Sequence, residues 1–169
     1  MNRVLGILGI HFCFHGSDDD FVTVVGAGVT GSVTCALLKR LSVAKEVVVW
    51  EKSRGAGGRM SSSGTRSGEC VVDLGAQYVT ATKDYAAKHG DFYDELTAAG
   101  VLKEMEAVKI DGERHKPGDT NFVAPAGMAS IAKHFIEQSG ASVEFGRRAC
   151  SVERTDDGTT WTVTDEVCR

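Results

Sequence analysis

Phe21-Val22-Thr23-Val24-Val25-Gly26-Ala27-Gly28-Val29-Thr30-Gly31 sets a short, β-branched apolar run directly against a Gly-x-Gly-x-x-Gly turn. The run predicts a buried parallel strand. Beyond the turn, Val29, Val33, Ala36, Leu37 and Leu41 recur at helical spacing, with Lys39 and Arg40 in the last turn, where they complement the helix dipole. A second β-branched run, Glu46-Val47-Val48-Val49-Trp50, ends on Glu51. Strand, glycine turn, helix, strand and acid follow one another in the order of a dinucleotide-binding α/β unit.

Each part of that order has a physical reason. Gly26 permits the tight turn, Gly28 lets a pyrophosphate approach bare backbone, and Gly31 lets the helix pack against the strand. The helix N-terminus offers amides and a positive dipole end to phosphate, and the hydroxyl and amide of Thr30 lie at that end. Glu51 stands 20 residues past Gly31, the separation at which a carboxylate on the second strand tip can accept hydrogen bonds from an adenosine ribose. A carboxylate there also repels a 2′-phosphate, which favours NAD or FAD over NADP. Gly26, Ala27, Gly28, Thr30, Gly31, Glu51 and Lys52 are thus the candidate residues of this half of the site. A P-loop is excluded, because Ser32-Val33 stands where Lys and Ser or Thr are required.

With 169 residues the chain has room for one ordinary domain, and 42% hydrophobic with 25% charged residues is the composition of a globular protein with a core. The net charge of −4 gives no global attraction to nucleic acid or to an anionic membrane, so neither is expected as a partner. Five cysteines at wide spacing, with no Cys-x-x-Cys, argue against a disulfide framework and a zinc ribbon, and the five histidines form no ligand pattern, so no metal is expected.

Residues 4–14 form an apolar run too short to span a bilayer. Residues 1–20 are read as an N-terminal extension, either a signal-like segment or an insertion in the gene model, and residues 21–169 as a partial Rossmann-type domain. The cytoplasm is the expected compartment, with secretion as the alternative. Further along, Tyr85, His89, Phe92, Leu96 and Ala99 fall on one helix face, making His89 a packed or boundary histidine, with Gly100 as the cap. Met128, Ile131, Ala132, Phe135 and Ile136 make a second apolar stripe, ended by Gly140. Ser142-Val143-Glu144-Phe145 reads as a third parallel strand, Arg147-Arg148 as a solvated pair, and residues 149–154 with 159–163 as a hairpin around Asp156-Asp157-Gly158. No nucleophile elbow or Cys/His pairing supports acyl-transfer chemistry.

The segment after Glu51, Lys52-Ser53-Arg54-Gly55-Ala56-Gly57-Gly58-Arg59-Met60, is too rich in Gly for a helix and on composition alone could be a linker. Its Glu-x5-Gly-Gly-Arg pattern resembles the second fingerprint of FAD-dependent amine oxidases. Asp73-Leu74-Gly75-Ala76-Gln77-Tyr78-Val79-Thr80, Asp91-Phe92-Tyr93-Asp94-Glu95-Leu96 and Asn121-Phe122-Val123-Ala124-Pro125 then resemble the renalase family, from about Val24 to about Val163. The resemblance implies an α/β, Rossmann-like FAD/NAD(P)-binding domain with a parallel sheet plus a β-hairpin. It implies FAD as cofactor, with Gly58, Arg59, Gln77 and Tyr78 joining Thr30, Glu51 and the first glycines in binding it.

The implied reaction is oxidation of isomeric dihydro forms of NAD(P) by oxygen, giving NAD(P)+ and hydrogen peroxide. No side chain need act as nucleophile or base, so no catalytic residue is assigned. Family members run to roughly twice this length, so the substrate domain is expected to be incomplete, with the adenosine and pyrophosphate contacts kept and turnover impaired. Two other readings stand beside it: a noncatalytic splice product or fragment acting as an interaction or signalling protein, and an NAD-binding dehydrogenase fragment. The sequence assigns no oligomeric state.

Overall fold

The computed structural model describes residues 12–15, 21–65, 70–106, 116–156 and 160–167. His115, Cys168, most of the apolar run at 4–14 and the Asp157-Gly158 part of the hairpin turn lie outside them. In chain order the elements are β1 (Phe12–His15), β2 (Phe21–Val25), α1 (Val29–Arg40), β3 (Glu46–Glu51), β4 (Ser62–Gly64), β5 (Val71–Asp73), β6 (Val79–Ala81), α2 (Lys83–Ala98), β7 (Lys103–Glu104), β8 (Thr120–Val123), α3 (Ala129–Ser139), β9 (Ser142–Phe145), β10 (Arg147–Arg154) and β11 (Trp161–Val167). A single 3-10 turn covers Gly58–Met60. The chain divides into two units, Met1–Gly58 with Ala132–Arg169, and Arg59–Ile131.

The first unit is built on a four-stranded sheet of order β1-β2-β3-β9. β2, β3 and β9 are parallel, with Val25 opposite Trp50 and Glu51 opposite Phe145, so their carboxyl ends finish side by side. This is the edge at which open α/β sheets bind ligands. Val22, Val24, Val47 and Val49 pack with Ala27, Cys35, Ala44 and Ala56 as the core, with Leu38, Ile136, Ala141 and Val143 around it. Burying each valine contributes about 2 kcal/mol, which is why these strands read as continuous apolar runs rather than alternating ones.

β2 begins at Phe21 as its sequence predicts, but it has a neighbour ahead of it: β1 pairs antiparallel along its free edge, Phe12 opposite Val24 and His15 opposite Phe21. The hairpin is also longer than its turn signal implies. β10 and β11 pair from Arg147–Val167 to Arg154–Trp161, with a register shift between Ala149 and Ser151.

The second unit holds a two-stranded sheet of β4 and β5 and a three-stranded antiparallel sheet of order β6-β8-β7. Thr82 caps α2, its Oγ1 accepting the Tyr85 amide at 3.3 Å, and Tyr93 stacks on Phe122 with ring centroids 5.5 Å apart. Leu96, Leu102 and Met128 are buried in this unit. The expectation for His89 is corrected: α2 kinks there (φ −129°, ψ 20°), and the imidazole is exposed and stacked on Tyr85 rather than packed. Gly100 ends the helix with φ +70°, its amide donating to the Thr97 carbonyl.

Candidate dinucleotide site

The first glycine turn is fastened at both ends. Gly26 adopts φ +100°, a left-handed conformation that side chains resist, and its amide donates to the Trp50 carbonyl at 2.8 Å. The next amide, of Ala27, donates to Glu51 Oε2 at 2.8 Å, and the Ser53 amide donates to Glu51 Oε1 at 2.7 Å. Glu51 is only 6% exposed. Its charge is therefore solvated by backbone amides from the turn and from the chain just beyond β3. Each carboxylate oxygen still has a second lone pair with which to accept a ribose hydroxyl.

The three glycines of the fingerprint differ in their surroundings. A Cβ on Gly31 lies 2.1 Å from the Gly26 carbonyl oxygen, so helix and strand can meet only because Gly31 has none. A Cβ on Gly28 meets nothing within 4 Å. Gly28 is also the N-cap of α1 and lends it no side-chain hydrogen bond, and the first turn contains no acidic residue. The dipole end of α1 thus borders open space beside bare backbone, a cradle suited to a phosphate. Thr30 is exposed on the first turn.

The linker alternative for the Gly-rich segment does not hold. Gly57 donates its amide to the Ala27 carbonyl at 2.9 Å, Gly28 and Gly57 form a parallel bridge, and a Cβ on Gly58 (φ +55°) lies 3.4 Å from the Gly28 Cα. Two glycine segments, 26–31 and 55–58, therefore lie backbone to backbone, with Gly26, Ala27, Gly28, Gly31, Glu51 and Gly58 brought together in the first unit.

Arg59, Gln77 and Tyr78 belong to the second unit and are all exposed there. They share a backbone junction: the Ala76 amide donates to the Arg59 carbonyl at 3.0 Å, and a Cβ on Gly75 lies 2.0 Å from that same oxygen. Gly75 is thus required for the Gly-Gly-Arg and Leu-Gly-Ala-Gln-Tyr segments to meet.

Beyond the tips of β2 and β3 lies a cleft of about 320 Å³, bordered by Gly26, Trp50, Glu51, Lys52, Arg147 and Arg148. Lys52 and Arg148 are exposed at it. Arg147 corrects the reading of a solvated pair. Its guanidinium carbon lies 3.5 Å from the centroid of the Trp50 ring, its Nε donates to Asp165 Oδ2 at 2.6 Å, and its Nη1 donates to Glu144 Oε2. Burial works to lower its pKa, but the bonds to Glu144 and Asp165 outweigh it and leave it raised. The sequence contained one signal for this, the acid at 144 three residues ahead of a basic one.

Cys35 is buried, and that burial pushes its thiol up to about 12, whereas Cys70 and Cys150 are exposed. Among the described residues no group of three His, Cys, Asp or Glu could hold a metal ion.

Residues 24–96 match the family described as NAD(P)-binding Rossmann-like domain. Mouse (Mus musculus) renalase is 44% identical over 126 residues, covering 73% of this chain and 36% of its own length. Among solved structures, the Diels-Alderase PyrE3 of pyrroindomycin biosynthesis is similar over 87% of this chain and 29% of its own, with a TM-score of 0.52 and 19% identity. OTEMO in an FAD-bound form is similar over 90% of this chain and 23% of its own, with a TM-score of 0.50 and 16% identity. Those two likenesses establish the Rossmann-like fold. Together with the ordered motifs from Val24 onward, the identity to renalase decides the family: over its matched length this chain, which spans about a third of that curated relative, belongs to the renalase family.

Proposed function

We propose that this chain binds FAD and belongs to an FAD-dependent oxidoreductase that oxidises dihydro isomers of NAD(P) to NAD(P)+, with oxygen reduced to hydrogen peroxide. The observation that carries the reading is the uncapped N-terminus of α1 at Gly28, open beside a glycine turn that Glu51 holds in place. In this reading the backbone at Gly26, Ala27, Gly28 and Thr30 faces the pyrophosphate, and Glu51 accepts from the adenosine ribose. Lys52 supplies positive charge at the same strand tip. Gly58 keeps the second glycine segment close enough to continue the cradle, and Arg59, Gln77 and Tyr78 are given to the flavin by the family resemblance alone. Bound FAD would supply the redox chemistry, two-electron oxidation of the dihydronicotinamide coupled to reduction of oxygen. The chain contributes binding, orientation and charge.

Among the described residues no helix is long and apolar enough to cross a membrane. Independently of that, the family resemblance gives the proposed substrates as small molecules, a dihydronicotinamide dinucleotide and oxygen.

The test is to purify the 169-residue chain, titrate it with FAD and with NAD, and record the oxidised-flavin absorbance. FAD that stays with the protein through gel filtration, and is released by Arg59→Ala, supports the reading. Binding of NAD with no retention of FAD favours the dehydrogenase reading instead. Hydrogen peroxide formed from oxygen when a dihydronicotinamide isomer is added tests the reaction itself.

A further inference from the structure

The cleft beyond the β2 and β3 tips has one wall already assembled. Arg147 lies over the Trp50 indole with its guanidinium carbon 3.5 Å from the ring centroid, and carboxylates from two other strands hold its edge: Glu144 from β9, and Asp165 from β11 at 2.6 Å. A guanidinium fixed over an aromatic ring is a flat, delocalised surface, and such surfaces stack on other π-systems. Its charge is offset by two acids, so its pull on a phosphate is weakened while its planar face is retained. Lys52 and Arg148, exposed at the same cleft, are better suited to meet phosphate oxygens.

We propose that Arg147 is the base-stacking residue of this cleft, its guanidinium plane selecting the purine ring of a nucleoside diphosphate bound at the β2 and β3 tips. The inference rests on the dinucleotide reading and adds a specificity to it. A purine offers a larger π-face than a pyrimidine, so the wall discriminates by base even though ribose and pyrophosphate are common to all nucleoside diphosphates. Lysine at position 147 keeps the charge and can still pair with Glu144 and Asp165, but it has no plane to stack.

Calorimetric titration of the full chain with ADP and with UDP provides the test. The wild-type chain is expected to bind ADP about threefold more tightly than UDP, a part of one base stack because uracil stacks as well, over a smaller face. Arg147→Lys is expected to weaken ADP more than UDP and bring the two affinities together. Arg147→Ala, which also leaves Glu144 and Asp165 without that cation, is expected to weaken both while removing the same preference. Circular dichroism checks folding, and Arg147→Lys decides the matter if the alanine variant unfolds. Equal wild-type affinities, or an ADP preference retained in Arg147→Lys, overturn the stacking role and leave the nucleotide reading standing. A wild-type chain that binds neither ADP nor FAD overturns both.

Discussion

Glu51 Oε2 accepts the buried Ala27 amide at 2.8 Å, which ties the glycine turn after one parallel strand to the tip of the next. With Glu51 Oε1 on the Ser53 amide, the carboxylate acts as a bracket before it acts on any ligand. Glutamine can keep only one of those bonds, since its amide nitrogen must face a donor. Glu51→Gln is expected to cost about 1 kcal/mol and Glu51→Ala about 2–3 kcal/mol, the range for hydrogen bonds to a charged group. Urea unfolding checks this, and an unchanged midpoint in Glu51→Ala would sink the bracket role.

Gly28 and Gly31 separate ligand contact from packing. Gly31→Ala drives a methyl into the Gly26 carbonyl, a backbone atom that cannot swing aside, and is expected to destabilise by at least about 2 kcal/mol. Gly28 has φ −77° and ψ 174°, with open space around its missing side chain, so Gly28→Ala is expected to unfold within about 0.5 kcal/mol of the wild type. If pyrophosphate occupies that space, the same methyl weakens FAD by roughly tenfold or more. Thermal melts beside flavin titrations read both effects, and a stable Gly28→Ala with wild-type affinity would place the phosphates elsewhere.

These positions show what the sequence could convey. Strand, turn, helix, strand and acid were legible in order because β-branched runs and glycine spacing are local patterns, but the face of α1 was not. Of Val29, Val33, Ala36, Leu37 and Leu41 only Ala36 is buried, and Leu37 and Leu41 are exposed. Gly31, Ser32 and Cys35, small residues that allow close approach, are the buried ones beside it. The third parallel strand at Ser142–Phe145 was legible from local pattern as well. The two-sided role of Glu51, the bridge between Gly28 and Gly57 and the meeting of Arg59 with Ala76 were not, because each joins residues whose spacing carries no period. Arg147 was misread because a basic pair next to a strand looks the same whether water or an indole receives it. What decided its environment was Trp50, nearly a hundred residues earlier.

Within the second unit, Asp73 and Ser62 form a relay onto the start of α3. Asp73 Oδ1 accepts from Ser62 Oγ at 2.7 Å and from the Met128 amide at 2.8 Å, and Ser62 Oγ accepts the Ala129 amide at 2.9 Å. These bonds satisfy amides that a helix N-terminus otherwise leaves open. Ser62→Ala is expected to cost about 1 kcal/mol and Asp73→Ala about 2 kcal/mol. Because the two share one network, the double variant should lose less than the two single losses together. A double-mutant cycle by urea denaturation measures this, and strict additivity would mean that the relay is not a unit.

Cys35 gives a prediction in pH. Burial raises its thiol from 9.0 to about 12, so the folded chain holds a proton that the unfolded chain releases near pH 9. The stability linked to this group is fully present below pH 9 and is lost as pH rises toward 12, by at most about 1.4 kcal/mol per pH unit. Cys35→Ala removes the titration but leaves the lysines and tyrosines that ionise over the same interval. Urea midpoints measured at pH 8, 9, 10 and 11 should therefore fall more steeply for the wild type than for Cys35→Ala, and only above pH 9. Alkylation at pH 8 provides a second reading: Cys70 and Cys150, both exposed, react in the native protein, while Cys35 reacts only after denaturant is added. Parallel pH curves for the two proteins, or native labelling of Cys35, would show that the α1 face carrying it opens far more readily than its complete burial implies.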